Sequence, residues 1–275
     1  MALTNKTIGF LGSGVMAEAM IKGLINGDLI APSQVIAADP RPERGAELTD
    51  RYGLRATTVN AEAASQADIL VFSTKPQVAG QVFASLDGAG AQPSLVVSIL
   101  AGVRIKTLSE GMNNPNIVRA MPNTPAQIGE GITVWTATRG VSEAGQAQAR
   151  ALLGALGEEI YMDDEKYLDM ATALSGSGPA YVFLFMEALI DAGVHLGFSR
   201  RDAEKLVMHT VRGSVNYALG SGDHQALLRN QVTSPGGTSA EALYQLEKGG
   251  LRTVISKAVY AAYKRSVALG KEQEK

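Results

Sequence analysis

Residues 6–17 read Lys-Thr-Ile-Gly-Phe-Leu-Gly-Ser-Gly-Val-Met-Ala, and this stretch decides the fold. Its first part, 7–11, is a short apolar run that predicts a buried parallel strand. The run leads directly into a G-x-G-x-x-A sequence, and 18–26 then carries apolar residues at helical spacing. A strand, a glycine-rich loop and a helix in this order form the context that the dinucleotide-binding fingerprint requires.

The small residues of this loop have separate physical roles. Gly12 permits a tight turn, Gly14 lets a pyrophosphate approach the backbone, and Ala17 lets the helix pack close to the strand. The start of the helix adds free N–H groups and the positive end of the helix dipole. A G-x-G-x-x-A sequence alone is often a plain turn, but the flanking strand and helix favour a dinucleotide site.

Strand-like and helix-like segments alternate through the first half of the chain. Further apolar runs predict strands at 34–38, 69–73, 95–99, 116–120 and 133–137, with one more short strand at 159–162. Helical spacing predicts helices at 43–52, 61–67 and 143–156, and a helix that begins at 105–108. The alternation predicts an α/β fold, with a Rossmann-type doubly wound parallel sheet over residues 1–163.

Polar or small residues follow several of these predicted strands. Ligands of doubly wound sheets bind outside the carboxyl ends of the strands, so these residues should converge on one groove. The segments concerned are the glycine loop, Asp39, Thr74-Lys75-Pro76, Leu100-Ala101-Gly102 and Met121-Pro122-Asn123. Lys75 is equally well explained as a contact to cofactor or substrate and as a solvated loop lysine.

The residues after the second strand bear on the choice of cofactor. Asp39 lies 25 residues after Gly14, where an acidic residue commonly holds the ribose hydroxyls of NAD. Arg41 and Arg44 suit the 2′-phosphate of NADP, although both also fit a solvated turn and helix start. We expect NADPH to be preferred, with NADH as the alternative, and the preference to be modest because Asp39 repels a phosphate.

From residue 164 onward the pattern becomes helical throughout. Helices are predicted at 166–173, 180–196, 200–218, 242–248 and 251–269, with a further segment at 227–232, so 164–275 is expected to form an all-helical second domain. The helix at 180–196 has so little polar face that it must be buried in a bundle or against another subunit. Glu187 and Asp191 interrupt it one turn apart, which argues against a membrane span.

The loop at 233–241 is the second chemical signal of the chain. Its glycine pair and proline lead to two hydroxyl side chains at a helix start. A capping box explains part of the pattern, with Thr238 as the cap and Glu241 three residues later. Unpaired N–H groups at the same helix start could hold a carboxylate, and the two interpretations are compatible.

Composition narrows the possible functions. The chain has 275 residues, no cysteine, three scattered histidines and a net charge of −2. Thiolate chemistry and disulfides are excluded, and neither a metal site nor a nucleic-acid partner is expected. The first strand follows the N-terminus with no room for a signal peptide, so a cytoplasmic protein is expected.

Taken together, these motifs resemble those of the pyrroline-5-carboxylate reductase family over nearly the whole chain. The resemblance lies in the glycine loop, in Lys75-Pro76, in 98–102 and in Arg119-Ala120-Met121-Pro122-Asn123-Thr124-Pro125. It continues in 175–181, and most specifically in Val232-Thr233-Ser234-Pro235-Gly236-Gly237. One departure is Ser239, because the family signature usually has Thr there; both side chains carry a hydroxyl.

The resemblance implies reduction of 1-pyrroline-5-carboxylate to L-proline, the last step of proline synthesis. It also implies an interlocked helical homodimer, with a decamer of dimers as one further assembly. The implied cofactor-binding residues are Leu11, Gly12, Ser13, Gly14, Val15, Met16, Arg41, Asn60, Ser73, Thr74, Lys75, Pro76 and Ala101. Ser234, Gly237 and Thr238 would bind the substrate carboxylate, and Ser239 would bind the ring nitrogen and act in catalysis.

Two other functions fit parts of the sequence. Hydroxy-acid dehydrogenases of similar build usually carry a catalytic lysine on the first long helix after the domain junction, and 180–196 contains none. A nonenzymatic NADP-binding regulator would need no substrate loop, so the intact 234–241 segment counts against it.

Overall fold

A computed structural model describes residues 2–272. It divides the chain into two compact units, of which one comprises Gly178–Ala261 and the other the residues before and after that segment. The larger unit contains an eight-stranded sheet in the order β3-β2-β1-β4-β5-β6-β7-β8. Its strands are β1 (Ile8–Leu11), β2 (Val35–Ala38), β3 (Arg55–Thr57), β4 (Ile69–Phe72), β5 (Leu95–Ser98), β6 (Ile117–Met121), β7 (Gly131–Ala137) and β8 (Gly157–Tyr161).

Helices cover both faces of this sheet. They are α1 (Val15–Asn26), α2 (Pro42–Tyr52), α3 (Asn60–Gln66), α4 (Ala79–Ala84), α5 (Ile105–Met112), α6 (Glu143–Gly154) and α7 (Lys166–Ala171). One apolar cluster packs around Phe10, Leu24 and Trp135, and a second packs around Phe72 and Leu108. Every residue of β1, β2, β4 and β5 is buried, as expected for parallel strands covered on both sides. The predicted doubly wound α/β fold is confirmed.

Two features of the sheet differ from the sequence prediction. β7 runs antiparallel to β6, with Met121 opposite Val134, whereas a parallel sheet was predicted. Residues 122–130 hold only a short 3₁₀ helix, Thr124–Ile128, and so cannot provide the longer crossover that a parallel neighbour needs. The short strand β3 was missed because Arg55 and Ala56 are exposed and form no apolar run.

The smaller unit is entirely helical. It contains α8 (Gly178–His195), α9 (Arg200–Ser221), α10 (Gln225–Gln231), α11 (Thr238–Lys248) and the first part of α12 (Leu251–Glu272). No residue of α8 is buried, although Phe183 and Leu184 are large and apolar. By length and composition alone, the helical run Lys166–His195 is a candidate membrane span, and 6% of its most apolar window is buried.

The compact units do not coincide with the sequence boundary placed between residues 163 and 164. The larger unit includes α7, a wide π-helical turn at Thr172–Gly176 and the last part of α12. Leu168 and Ala171 of α7 are buried against Val134 of β7, which ties α7 to the sheet. Helical periodicity alone does not show which helices pack against a sheet.

Candidate active site

The carboxyl ends of the central strands lie at one edge of the sheet. Leu11 is in register with both Ala38 and Phe72, and Phe72 is in register with Ser98, all in parallel pairs. The loops that follow β1, β2, β4 and β5 therefore leave from the same edge. This arrangement brings together the glycine loop, Asp39, the Ser73–Pro76 segment and the loop that contains Ala101.

The glycine loop has the backbone that close approach requires. Gly12 has φ of +85°, and a Cβ atom there would lie 2.6 Å from Cγ2 of Thr74. Gly14 occupies the N-cap position of α1, and a Cβ atom there would meet nothing within 4 Å. Ala17 is fully buried beneath the loop. The space in front of Gly14 and the free N–H groups at the start of α1 together suit a pyrophosphate.

Hydrogen bonds hold this loop from three sides. The buried Ser13 donates its N–H to Oδ2 of Asp39 at 3.3 Å and its hydroxyl to the carbonyl of Ala38 at 3.2 Å. Arg44 Nε donates to the Ser13 carbonyl at 2.8 Å. Ser73 Oγ donates to the Gly12 carbonyl at 2.7 Å. The loop is therefore preorganised by β2, by α2 and by the residue that follows β4.

Asp39 and Arg41 form a bidentate pair at the end of β2. Arg41 donates from Nε to Oδ1 at 2.9 Å and from NH2 to Oδ2 at 3.2 Å. Burial alone would raise the pKa of the Asp39 carboxyl, but hydrogen bonds from the Arg41 side chain and from the Arg41 and Ser13 N–H groups lower it overall. Arg41 remains 65% exposed, so one face of its guanidinium is accessible from solvent.

Arg44 is engaged differently from the prediction that it faces a 2′-phosphate. Its guanidinium binds Glu18 at 2.5 Å, Glu47 at 2.7 Å and the Ser13 carbonyl, and its side chain is only 12% exposed. Burial would raise the pKa of Glu18, but hydrogen bonds from Arg44, Tyr52 and Arg51 lower it overall. These contacts with two carboxylates and the loop favour a structural role for Arg44, and its pairing with a 2′-phosphate stays a prediction.

The other predicted cofactor residues occupy varied environments. Leu11 is fully buried in the core, so only its backbone is near the edge, whereas Val15 is exposed and Met16 packs partly on the core. Asn60 donates to Ser85 Oγ at 2.9 Å. Lys75 is exposed, with no ion pair to any residue in 2–272, and precedes the 3₁₀ helix Pro76–Val78. Within residues 2–272, Lys75 and the half-buried Ala101 have no side-chain partner that indicates a purely structural role.

The predicted substrate loop lies in the helical unit. The Gly237 N–H donates to the Ser234 carbonyl at 3.0 Å, and a Cβ atom on Gly237 would lie 2.4 Å from Ser234 Oγ. Glycine at 237 therefore lets the Ser234 hydroxyl fold over the start of α11. Ser234 and Thr238 are exposed, and Ser239 is half-buried. Hydroxyls and helix-start N–H groups thus lie together on one loop.

The capping box predicted at this helix start is not formed. Gly237 takes the N-cap position, with φ of −81° and ψ of 168°, and Thr238 is the first helical residue. No side chain of the described residues caps α11, and the first helical backbone bond runs from the Glu241 N–H to the Gly237 carbonyl. The N–H groups of Thr238 and Ser239 consequently remain available for an anion.

Two family models match the chain. Residues 165–269 match the model for pyrroline-5-carboxylate reductase dimerisation, and residues 7–102 match the model described as NADP oxidoreductase, coenzyme F420-dependent. The first match covers most of the predicted second domain. The second covers the glycine loop, Asp39, Lys75 and Ala101.

Relatives and solved structures match over nearly their whole length. The pyrroline-5-carboxylate reductase of Synechocystis is 43% identical over 96% of this chain and 98% of its own, and that of Pseudomonas aeruginosa is 38% identical over 98% and 99%. The structure of the reductase from Coxiella burnetii has a TM-score of 0.90 at 34% identity, covering 97% of this chain and 99% of that one. The Plasmodium falciparum enzyme with NADP bound has a TM-score of 0.86 at 35% identity, covering 97% and 98%. The chain belongs to the pyrroline-5-carboxylate reductase family.

Proposed function

We propose that the glycine loop and the neighbouring strand ends hold NADPH, and that the loop before α11 holds 1-pyrroline-5-carboxylate for reduction to L-proline. The observation that carries the proposal is the open space before Gly14 in a loop that hydrogen bonds already hold in place. The family of the chain specifies the reaction: reduction of the C=N bond of 1-pyrroline-5-carboxylate. NADPH as the cofactor agrees with the NADP-bound relative from Plasmodium falciparum.

Bound NADPH would supply the hydride, and the chain would supply binding and orientation. The backbone from Gly12 to Met16 receives the pyrophosphate at the start of α1. Asn60, Ser73, Thr74, Lys75, Pro76 and Ala101 line the rest of the cofactor. Preorganisation of these groups lowers the barrier because little freedom remains to be lost when the reactants meet.

The substrate carboxylate is assigned to the start of α11. The Ser234 and Thr238 hydroxyls and the N–H groups near Gly237 provide several donors in a small space. Ser239 is assigned to the ring nitrogen, which becomes more basic as the C=N bond is reduced. A hydrogen bond that strengthens during the reaction lowers the transition state more than the ground state. Ser239 is therefore the proposed catalytic residue.

Arg41 is assigned to the 2′-phosphate of NADPH. Its guanidinium is mostly exposed and has a fork geometry that suits a phosphate. Asp39 shares that guanidinium and would accept hydrogen bonds from a ribose with free hydroxyls. NADH is therefore assigned as the weaker, alternative cofactor.

The helical part is assigned to self-association as well as to substrate binding. Residues 1–163 would form the cofactor domain, and 164–275 the substrate-binding and dimerisation domain. In support, the dimerisation family model begins at residue 165, and α8 has large apolar side chains but no buried residue. A second copy covering α8 makes a homodimer, whose further assembly to a decamer of dimers remains one option. The protein is assigned to the cytoplasm, without nucleic-acid or membrane partners.

A direct spectrophotometric assay tests this function. Purified protein is incubated with NADPH and 1-pyrroline-5-carboxylate, and the loss of NADPH absorbance is followed. Reduction that depends on both compounds supports the proposal. Turnover of NADP with a 2-hydroxy acid instead would identify a dehydrogenase, and NADPH binding without any turnover would identify a nonenzymatic regulator.

A further inference from the structure

The last turns of α12 lie against the loop that follows β5. A Cβ atom on Gly270 would lie 3.1 Å from the Gly102 carbonyl oxygen and 3.4 Å from Nε of Arg104. From the other side, a Cβ atom on Gly102 would lie 3.4 Å from Cβ of Leu269, and Gly102 has φ of +75°. Glycine at 270 therefore lets the helix approach the loop closely, and glycine at 102 allows the left-handed backbone of the loop.

A largely buried chain of polar contacts holds the same part of α12 in place. Ser266 Oγ donates to Asp169 Oδ1 at 2.9 Å, and both residues are buried. Arg119 lies between two carboxylates, with NH2 at 3.6 Å from Asp169 Oδ1 and NH1 at 2.7 Å from Glu165 Oε1. Glu165 Oε1 also accepts the N–H of Ile105 at 2.8 Å. The chain therefore runs from α12 through α7 and β6 to the first residue of α5.

The charge of Arg119 restricts how this network of contacts can be arranged. The Arg119 side chain is 3% exposed, and removing one partner would leave a buried charge incompletely compensated. The carboxylate of Glu165 is further stabilised by its position at the start of α5, where the helix dipole favours an anion. The network therefore has little freedom to rearrange while α12 stays in place.

The loop between β5 and α5 is thereby held at both ends and in its middle. At its start, Ser98 Oγ accepts the Leu100 N–H at 3.3 Å. At its end, Glu165 binds the first N–H of α5. Between these points, Gly270 of α12 contacts Gly102, the residue directly after Ala101.

We infer that the last turns of α12, through Ser266 and Gly270, position the loop 100–102 for the bound cofactor. The inference rests on the proposed contact of Ala101 with the cofactor. Ser266 and Gly270 act through the loop and are positioning residues. The end of the C-terminal helix thus contributes to the affinity for NADPH, although no fingerprint residue lies on it.

The variant Gly270→Ala tests the inference, because a substitution that usually stabilises a helix should here weaken NADPH binding. Alanine forms helices better than glycine, so the change should be harmless or stabilising where nothing faces the position. Here the new Cβ atom must displace the Gly102 carbonyl by a few tenths of an ångström. We expect the Kd for NADPH, from fluorescence titration of the full-length protein, to rise about threefold to tenfold, and the KM for 1-pyrroline-5-carboxylate to change less than about twofold.

A matched variant separates the positioning of the loop 100–102 from the general effect of replacing a helical glycine with alanine. Gly154 ends α6, is exposed, and a Cβ atom there would meet nothing within 4 Å. Gly154→Ala should leave the Kd for NADPH unchanged. Ser266→Ala, which keeps the helix backbone but removes the donor to Asp169, should weaken NADPH binding in the same direction as Gly270→Ala.

Unchanged NADPH affinity in both Gly270→Ala and Ser266→Ala, in folded protein, would overturn the inference. A loss of thermal stability without a change in Kd would do the same, because it would show a purely structural contact. If the parent protein itself neither binds NADPH nor reduces 1-pyrroline-5-carboxylate, the proposed function fails instead, so the two failures are distinguishable.

Discussion

Arg44 on α2 is joined to Ser13 in the glycine loop by a hydrogen bond of 2.8 Å from Nε to the carbonyl oxygen. The same guanidinium binds Glu18 on α1 and Glu47 on α2. Arg44 thus connects the first helix, the second helix and the loop between β1 and α1. We propose that Arg44 positions the loop for any dinucleotide, whereas the neighbouring Arg41 distinguishes NADPH from NADH.

Replacing Arg44 with Met should weaken NADPH and NADH binding equally. The variant loses the donor to Ser13, and a hydrogen bond from a charged group contributes about 1.5–3 kcal/mol, so KM for both cofactors should rise about tenfold or more. Arg51→Met is the matched control, because Arg51 binds Glu18 and Glu47 but not the loop. Steady-state kinetics with each cofactor measure the effect. A rise in the KM for NADPH alone would contradict this role and would indicate that Arg44 binds the 2′-phosphate.

Replacing Arg41 with Ala should instead weaken the binding of NADPH selectively. The fork that is proposed to meet the 2′-phosphate is lost, so KM for NADPH should rise about tenfold while KM for NADH changes less than about twofold. Equal changes for the two cofactors would contradict the assignment of Arg41. The pair of variants therefore separates loop positioning from phosphate recognition by the ratio of the two KM values.

Glu18 should make stability depend on pH in the acid range. Its pKa is lowered in the folded protein, so its contribution is complete above the unfolded pKa of about 4.3 and is lost as pH falls through the lower folded value. At pH 7, Glu18→Gln should reduce the free energy of unfolding by about 1 kcal/mol, a value that allows for screening by solvent. Denaturant melts at fixed protein concentration measure the difference.

The contribution of Glu18 should decrease as pH falls below the unfolded pKa of about 4.3, and it should be absent once the carboxyl is protonated in the folded protein as well. A parent and a Glu18→Gln variant that differ equally at pH 7 and at low pH would contradict the role of the charged carboxylate. Glu47→Gln is a useful comparison, because Glu47 binds the same two arginines from a more exposed position.

Much of the fold could be predicted because local pattern and tertiary role agree. The apolar run that contains Phe10 and the small residues Gly12 and Gly14 specify a strand and a close turn by chemistry alone. The direction of β7 could not be predicted, since a strand looks the same in sequence whichever way it runs. The alternative roles of Arg41 and Arg44 also depend on which carboxylates fold beside each guanidinium.

The substrate loop shows a similar limit. The two hydroxyls of Thr238 and Ser239 correctly mark a helix start, but sequence placed the cap at Thr238. In the structure the N-cap is Gly237, one residue earlier, and the helix begins at Thr238, four residues before the predicted segment 242–248. A one-residue shift changes a capping hydroxyl into a free one, and element boundaries are the least certain part of any sequence pattern.

Replacing Ser239 with Ala tests the proposed catalytic hydroxyl. Help of this kind contributes about 10²–10⁴-fold in general, and a serine hydroxyl is a weak acid, so kcat should fall by about 10²-fold. NADPH binding and folding should stay near those of the parent. Ser239→Thr should keep most of the activity because it retains the hydroxyl. An Ala variant that turns over like the parent at every pH would leave Ser239 with a structural role only.

The transfer of hydride from NADPH to the C=N carbon is the central claim, and isotopic labelling tests it most directly. The protein is incubated with 1-pyrroline-5-carboxylate and NADPH that carries deuterium at one of the two C4 positions, in separate reactions for each position. One of the two reactions should give proline with a single deuterium at C5, detected by mass spectrometry, in equal amount to the NADPH consumed. Consumption of NADPH with no deuterated proline from either label would contradict the account.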